Sequence, residues 1–277
     1  MNPLLSAVKL PGRVFQLPSK GVFYGAGILS PKVSEGEIEV KPMSALTELK
    51  LRSPDLLFSG KALAEVCAEC VPDILQPNKL ITKDVDALFC FLKMSTYGSQ
   101  MSVSSVHNCT DAKIHQYEVN LETVVGAPNN SSLDSRDVTY RVVLTNGQTV
   151  KLRPVSFEES LKMTHLRQQI QTAFLESGDK DPANEDVEKL LISDLLSVVE
   201  GVEAVLDGTA TPVLITDRKL LEEWVRNLQR RWIDEISNQA VRANEWGISL
   251  KTRLKCRDCG KEYDHDLEVD PINFFFG

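Results

Sequence analysis

Histidine is scarce in this chain, four among 277 residues. No serine or cysteine stands in a recognisable frame with a base, no glycine loop for phosphate follows a strand pattern, and no carboxylate pair is framed for acid–base work. The sequence therefore reads as non-enzymatic. Long apolar runs are missing too, so no membrane span is expected. The start, Met1-Asn2-Pro3-Leu4-Leu5-Ser6, lacks the basic segment and sustained apolar stretch of a secretory signal. Basic residues are outnumbered, 31 Lys and Arg against 39 Asp and Glu, for a net charge of −8. A nucleic-acid backbone needs a basic footprint, so broad contact with one is not expected. Six cysteines without a secretory context imply a reducing compartment, where thiols bind metal or sit in cores. What remains is the composition of a soluble globular protein, 42% hydrophobic and 25% charged, long enough to bury a real core.

The most informative motif is Cys256-Arg257-Asp258-Cys259 followed by Gly260. This spelling is a zinc knuckle: the turn aims two thiolates at one point, and glycine lets the chain reverse. Half a tetrahedral site needs two more ligands. Aligning Cys259 with Cys109 superimposes His265, Glu268 and Val269 on His115, Glu118 and Val119. The strands that follow alternate in the same phase. His107 stands two residues before Cys109, where a second cysteine would complete a regular knuckle. Two hairpin arms far apart in sequence are thus expected to clamp one structural Zn2+ through Cys109, Cys256, Cys259 and a histidine. His107 and His115 compete for the fourth place. His107 is preferred, because His115 has a counterpart in His265 and one tetrahedral site cannot use both. Four protein ligands leave no open position for catalysis.

Residues 1–42 are rich in proline, glycine and serine and read as an extended arm, with a short strand pattern at Ile38 and Val40. Leucines from Leu46 onward mark helices broken at Pro54 and Gly60. Cys67 and Cys70 fall at i and i+3 on the helix after Gly60. They are expected to pack the core, although a redox pair has the same spacing. Further helices are predicted from Asp84 to Tyr97, from Phe157 to Ser177, over Val187–Val199, from an Asp217 N-cap through Trp224, and through Ile233 and Ile236 towards Trp246. Asn146-Gly147 between alternating apolar residues is a hairpin signal. Residues 128–136 read as an exposed loop, and Val202–Asp207 as a strand. The expected class is α+β, mainly helical, with small antiparallel sheets and a zinc-ribbon-like site joining two distant arms. The expected division is an arm at 1–42, a core at 43–156 with 248–277, and a helical insertion at 157–247. Phe274-Phe275-Phe276 cannot all face one core in a strand, so this tail and the N-terminal arm are expected to be exposed docking elements.

Several pieces occur in a telling order: Leu17-Pro18-Ser19-Lys20-Gly21 with Tyr24, the helical block from Pro42-Met43, and the Asp84 helix ending in Ser95-Thr96-Tyr97-Gly98. The Asp217 to Trp224 helix and the Cys256–Cys259 arm closing in Pro271-Ile272-Asn273-Phe274-Phe275 follow. In this order the chain resembles the baseplate family of T-even-like contractile-tailed bacteriophages, across nearly its whole length. It departs at the first arm, where His107-Asn108-Cys109 stands in place of a C-x-x-C. The resemblance implies a phage tail protein without enzymatic activity, acting in the baseplate hub or its assembly. Its partners would then be other tail and baseplate hub proteins in a multimeric assembly, in the host cytoplasm and then the virion. Two other readings follow from the residues alone: a zinc-ribbon nucleic-acid or regulatory module, and a thiol oxidoreductase using Cys67 and Cys70.

Overall fold

Local sequence rules account for most element boundaries. The computed structural model describes residues 11–109, 113–126, 133, 139–177, 184–205, 211–267 and 274–275. Strands β1 (Arg13–Gln16) and β2 (Glu37–Val40) precede helices α1 (Ala45–Lys50), α2 (Pro54–Phe58) and α3 (Lys61–Cys70). Ser44 caps α1 by accepting from the Thr47 N–H, and Gly60, with φ of 71°, separates α2 from α3. Helix α4 (Thr82–Tyr97) leads to β3 (Gln100–Val106), β4 (Ile114–Asn120) and the short α5 (Leu121–Val125). Next come β5 (Arg141–Val143), β6 (Thr149–Leu152), α6 (Phe157–Ser177), α7 (Asn184–Val198), β7 (Val199–Ala204) and β8 (Val213–Ile215). Helices α8 (Arg218–Arg226) and α9 (Arg230–Ala243) and strands β9 (Lys251–Lys255) and β10 (Glu262–Asp266) complete the order. The class is α+β, with every strand pairing antiparallel.

Residues 1–129 with 247–277 form one unit and residues 130–246 the other. The sequence reading starts the insertion at 157. Pairing of β6 with β7 draws the Asn146-Gly147 hairpin into the second unit, where the sheet order is β5-β6-β7-β8. Gly147 takes φ of 88° in that hairpin's turn. Within the second unit Asp217 accepts from the N–H groups of Lys219 and Leu220, the N-cap expected from sequence. Trp246 is buried and donates to Tyr140 Oη at 2.6 Å. The expected loop at 128–136 lies largely, and residues 206–210 wholly, outside the described residues. Leu133, inside that loop, is buried.

The first unit is organised on α4. Its residues from Val85 to Met94 are almost all buried, including Leu88, Phe89, Cys90, Phe91 and Leu92. A helix that is apolar on every side must be enclosed on every side. Phe15 stacks on Phe91 with centroids 4.5 Å apart. Asp84, fully buried, accepts from the Ser19 N–H at 3.0 Å, from Tyr24 Oη at 2.6 Å and from Ser19 Oγ. Tyr24 Oη in turn accepts from the Ile81 N–H. The polar anchor explains how a turn-forming segment with little periodicity is held.

The expectation of an exposed phenylalanine tail is corrected for Phe274 and Phe275, while Phe276 lies outside the described residues. Phe274 and Phe275 are both buried: Phe275 meets Phe89 edge-on at 6.0 Å, and Phe274 lies under the Lys93 ammonium, which donates to its carbonyl. The two residues adopt helical backbone, so the alternation that would force one outward in a strand does not apply. Phe15 and Leu17 likewise attach the described part of the N-terminal arm to its own unit.

Two outcomes follow. Phe274→Ala should cost about 3–5 kcal/mol of stability in chemical denaturation, the range for truncating a buried phenylalanine. Burial raises the Asp84 carboxyl to about 6, against the lowering effect of its Ser19 and Tyr24 donors. A carboxyl raised on folding contributes stability that is complete below its unfolded range and lost as pH rises through about 6. Wild type should therefore gain stability relative to Asp84→Asn as pH falls from about 7 to about 5. A gap constant over that range would contradict this.

Candidate metal centre

Two hairpins build the site. In the first, β3 and β4 pair from Gln100↔Asn120 to Val106↔Ile114, and His107 and Cys109 follow the last pair. In the second, β9 and β10 pair from Lys251↔Asp266 to Lys255↔Glu262, and Cys256 and Cys259 occupy the turn between. Gly260 has φ of 73° and donates its N–H to the Cys256 carbonyl, the reversal that the C-x-x-C-G spelling requires. Alternation directs Val103, Tyr117, Val119, Leu254 and Leu267 to a shared core, with Met101 and Tyr263 packed against it.

At the turn ends of the hairpins, ligand atoms of His107, Cys109, Cys256 and Cys259 all lie within 4.8 Å of one another. Cys259 Sγ is 3.3 Å from His107 Nδ1, and Cys109 Sγ is 4.0 Å from Cys256 Sγ. Tetrahedral zinc bonds of the usual length give S···S separations of about 3.8 Å and S···N separations of about 3.5 Å. The residues are close enough to bind a metal, and the donor set suits zinc. Cys256 is enclosed and Cys259 exposed. The backbone N–H of Cys259, then that of Asp258, hold the Cys256 thiol down at about 7, with the Cys259 and His107 side chains adding to this. That raises the share of thiolate at neutral pH, the form that ligates.

His115, the competing candidate, is engaged elsewhere. Its Nε2 lies 2.7 Å from Asp258 Oδ2, and the imidazole holds the Asp258 carboxyl below the usual carboxylate range. His265 does the corresponding work from the other arm: its Nδ1 is 3.0 Å from Ser105 Oγ, which also accepts from Tyr263 Oη at 3.0 Å. The histidines repeated in the sequence are thus cross-arm contacts placed by inward-facing strand positions. Sequence reasoning did not pick out Ser105 or Asp258 as their partners. A buried serine facing the second arm carries no signal of its own in one chain.

The outer face of β9–β10 alternates in sign: Lys251 opposes Asp266, Arg253 opposes Asp264 and Lys255 opposes Glu262. Basic side chains on this face are matched one for one by carboxylates.

The family model for T4 bacteriophage base plate protein matches residues 32–277. The chain belongs to this family. Searches of curated proteins and of solved structures give no significant match. The matched span includes both arms and all four residues of the cluster, as well as Asp84. A phage baseplate protein is therefore the frame in which the cluster has to be read.

Cys67 and Cys70 of this baseplate chain are buried in α3. Burial pushes the Cys67 thiol far up and the Cys70 thiol to about 11, so neither is a ready nucleophile at neutral pH. Alkylation of the folded, chelator-treated protein should label Cys259 and Cys109 first and leave Cys67, Cys70 and Cys90 unmodified until it unfolds. Equal labelling of all six would refute this assignment.

Proposed function

We propose that the chain is a non-enzymatic structural or assembly component of a contractile-tailed phage baseplate hub, stabilised by one structural zinc held by His107, Cys109, Cys256 and Cys259. Family membership over 32–277 carries the baseplate reading. The convergence of three sulfurs and one imidazole nitrogen supports the zinc. Four protein donors fill a tetrahedral shell and leave no position for substrate or water, so the metal fastens structure. The other partners would be hub and tail proteins in a multimeric assembly, met first in the host cytoplasm and then in the virion. Neither nucleic acid nor membrane is required for that work.

Protein purified without chelator should carry one zinc per chain. Cys256→Ser and His107→Ala should lose it and melt many degrees lower, since structural zinc contributes on the order of 10 kcal/mol in small sites. His115→Ala should keep the metal. Metal-free wild type by elemental analysis would end the zinc reading. Phage lacking the gene should yield heads without completed tails, rescued by wild type supplied in trans. Normal tails in its absence would end the hub reading.

A further inference from the structure

Two close approaches among the four ligand side chains differ in chemistry. Cys259 Sγ faces the His107 imidazole, whereas Cys109 Sγ faces another sulfur across the arms. Cys109 is half-buried and Cys256 lies beneath it, so a small solute can reach the first and the second is placed to respond. Contacts that need no metal hold the arms together around this pair: His115 with Asp258, and Tyr263 and His265 with Ser105. The shared apolar core of Val103, Tyr117, Val119, Leu254 and Leu267 adds to them. Removing the metal therefore leaves the two sulfurs facing one another.

We infer that Cys109 and Cys256 are an oxidation site, at which hydrogen peroxide converts the pair to a disulfide that expels the metal and keeps the arms joined. The metal half of this statement rests on the ligand set proposed above; the disulfide half does not. The Cys109 thiolate attacks one peroxide oxygen, breaking the O–O bond and leaving a sulfenic acid and hydroxide. The Cys256 thiolate then attacks the Cys109 sulfur, forming the S–S bond and releasing a second hydroxide. Two thiolates give up two electrons, peroxide accepts them, and two solvent protons complete two waters. Zinc then has only His107 and Cys259 of its four ligands and leaves. The knuckle turn between Cys256 and Cys259 is closed by the Gly260 N–H on the Cys256 carbonyl. The cross-arm bond leaves that turn intact. For a particle built in a reducing cell and released outside it, the tie between the arms would outlast the metal.

The test treats the purified full chain with hydrogen peroxide while a chromogenic chelator reads zinc, and a non-reducing digest reads the bond by mass spectrometry. The expected result is loss of the bound zinc as a Cys109–Cys256 peptide appears, two hydrogen atoms lighter than its parts and cleaved by dithiothreitol. Cys259→Ser should still form this bond, even with weakened metal binding, and Cys109→Ser should not. Predominant Cys256–Cys259 linkage, sulfinic or sulfonic acids without a disulfide, or bonds between chains would overturn the inference. Protein isolated without zinc would sink the metal reading alone, because the disulfide readout remains.

Discussion

The first unit depends on two hairpins finding each other. A two-stranded hairpin is marginal in water, and each arm here exposes one apolar face until the other covers it. Val103, Tyr117 and Val119 from one arm and Leu254 and Leu267 from the other close that face. The sulfurs brought together, those of Cys109 and Cys256, are 147 positions apart in the chain. Tying points so distant removes roughly 5 kcal/mol of conformational freedom from the unfolded chain, on the usual loop-closure estimate. The side-chain contacts between arms are individually worth about 1 kcal/mol each, so they hold the hairpins together only in concert with that shared core. The cluster at the turn ends stands where a shared metal would add to them.

A second constraint acts on the same unit from the opposite direction. Helix α4 is enclosed on all sides, and much of its cover comes from segments with weak propensities of their own: the turn-forming stretch at 17–24 and the two phenylalanines at 274–275. Asp84 attaches the first through Ser19 and Tyr24, and Lys93 the second through the Phe274 carbonyl. Both are ionisable groups in an apolar setting, and burial opposes the charge of each, raising Asp84 and lowering Lys93. Such groups are tolerated because they bind backbone and hydroxyl partners that would otherwise be buried unpaired. Ser19 with Tyr24 and then the Asp84 helix, neighbours in the order read from the sequence, are therefore a single hydrogen-bonded unit.

Much of this was readable from the residues. The knuckle, the Asn146-Gly147 hairpin, the Asp217 cap and the breaks at Pro54 and Gly60 are local rules, and local rules survive folding. The degenerate copy at His107 and Cys109 could be read because strand alternation repeated after it. The fate of the phenylalanine tail could not, since its cover is a helix about 180 residues earlier in the chain. The strand reading of that tail also imposed an alternation that its helical backbone does not have. Partners of His115 and His265 were hidden for a related reason: inward orientation follows from strand phase, but the facing residue follows from how the hairpins stack. The hairpin at 141–152 looked like part of the core until β7 supplied its other neighbour.

The acidic composition and the knuckle are reconciled on β9 and β10. A metal-bound ribbon that grips nucleic acid needs its basic residues unopposed, since each released counterion depends on a phosphate being neutralised. Here Lys251, Arg253 and Lys255 each face a carboxylate across the hairpin, which spends their charge on strand pairing. Arg257, within the knuckle, lies over the Tyr117 ring of the other arm, 5.3 Å from its centroid. The positive charge within the knuckle is thus directed at the protein itself. A knuckle arranged in this way joins one part of its own chain to another, and that is the service a rigid element of a tail assembly needs from it.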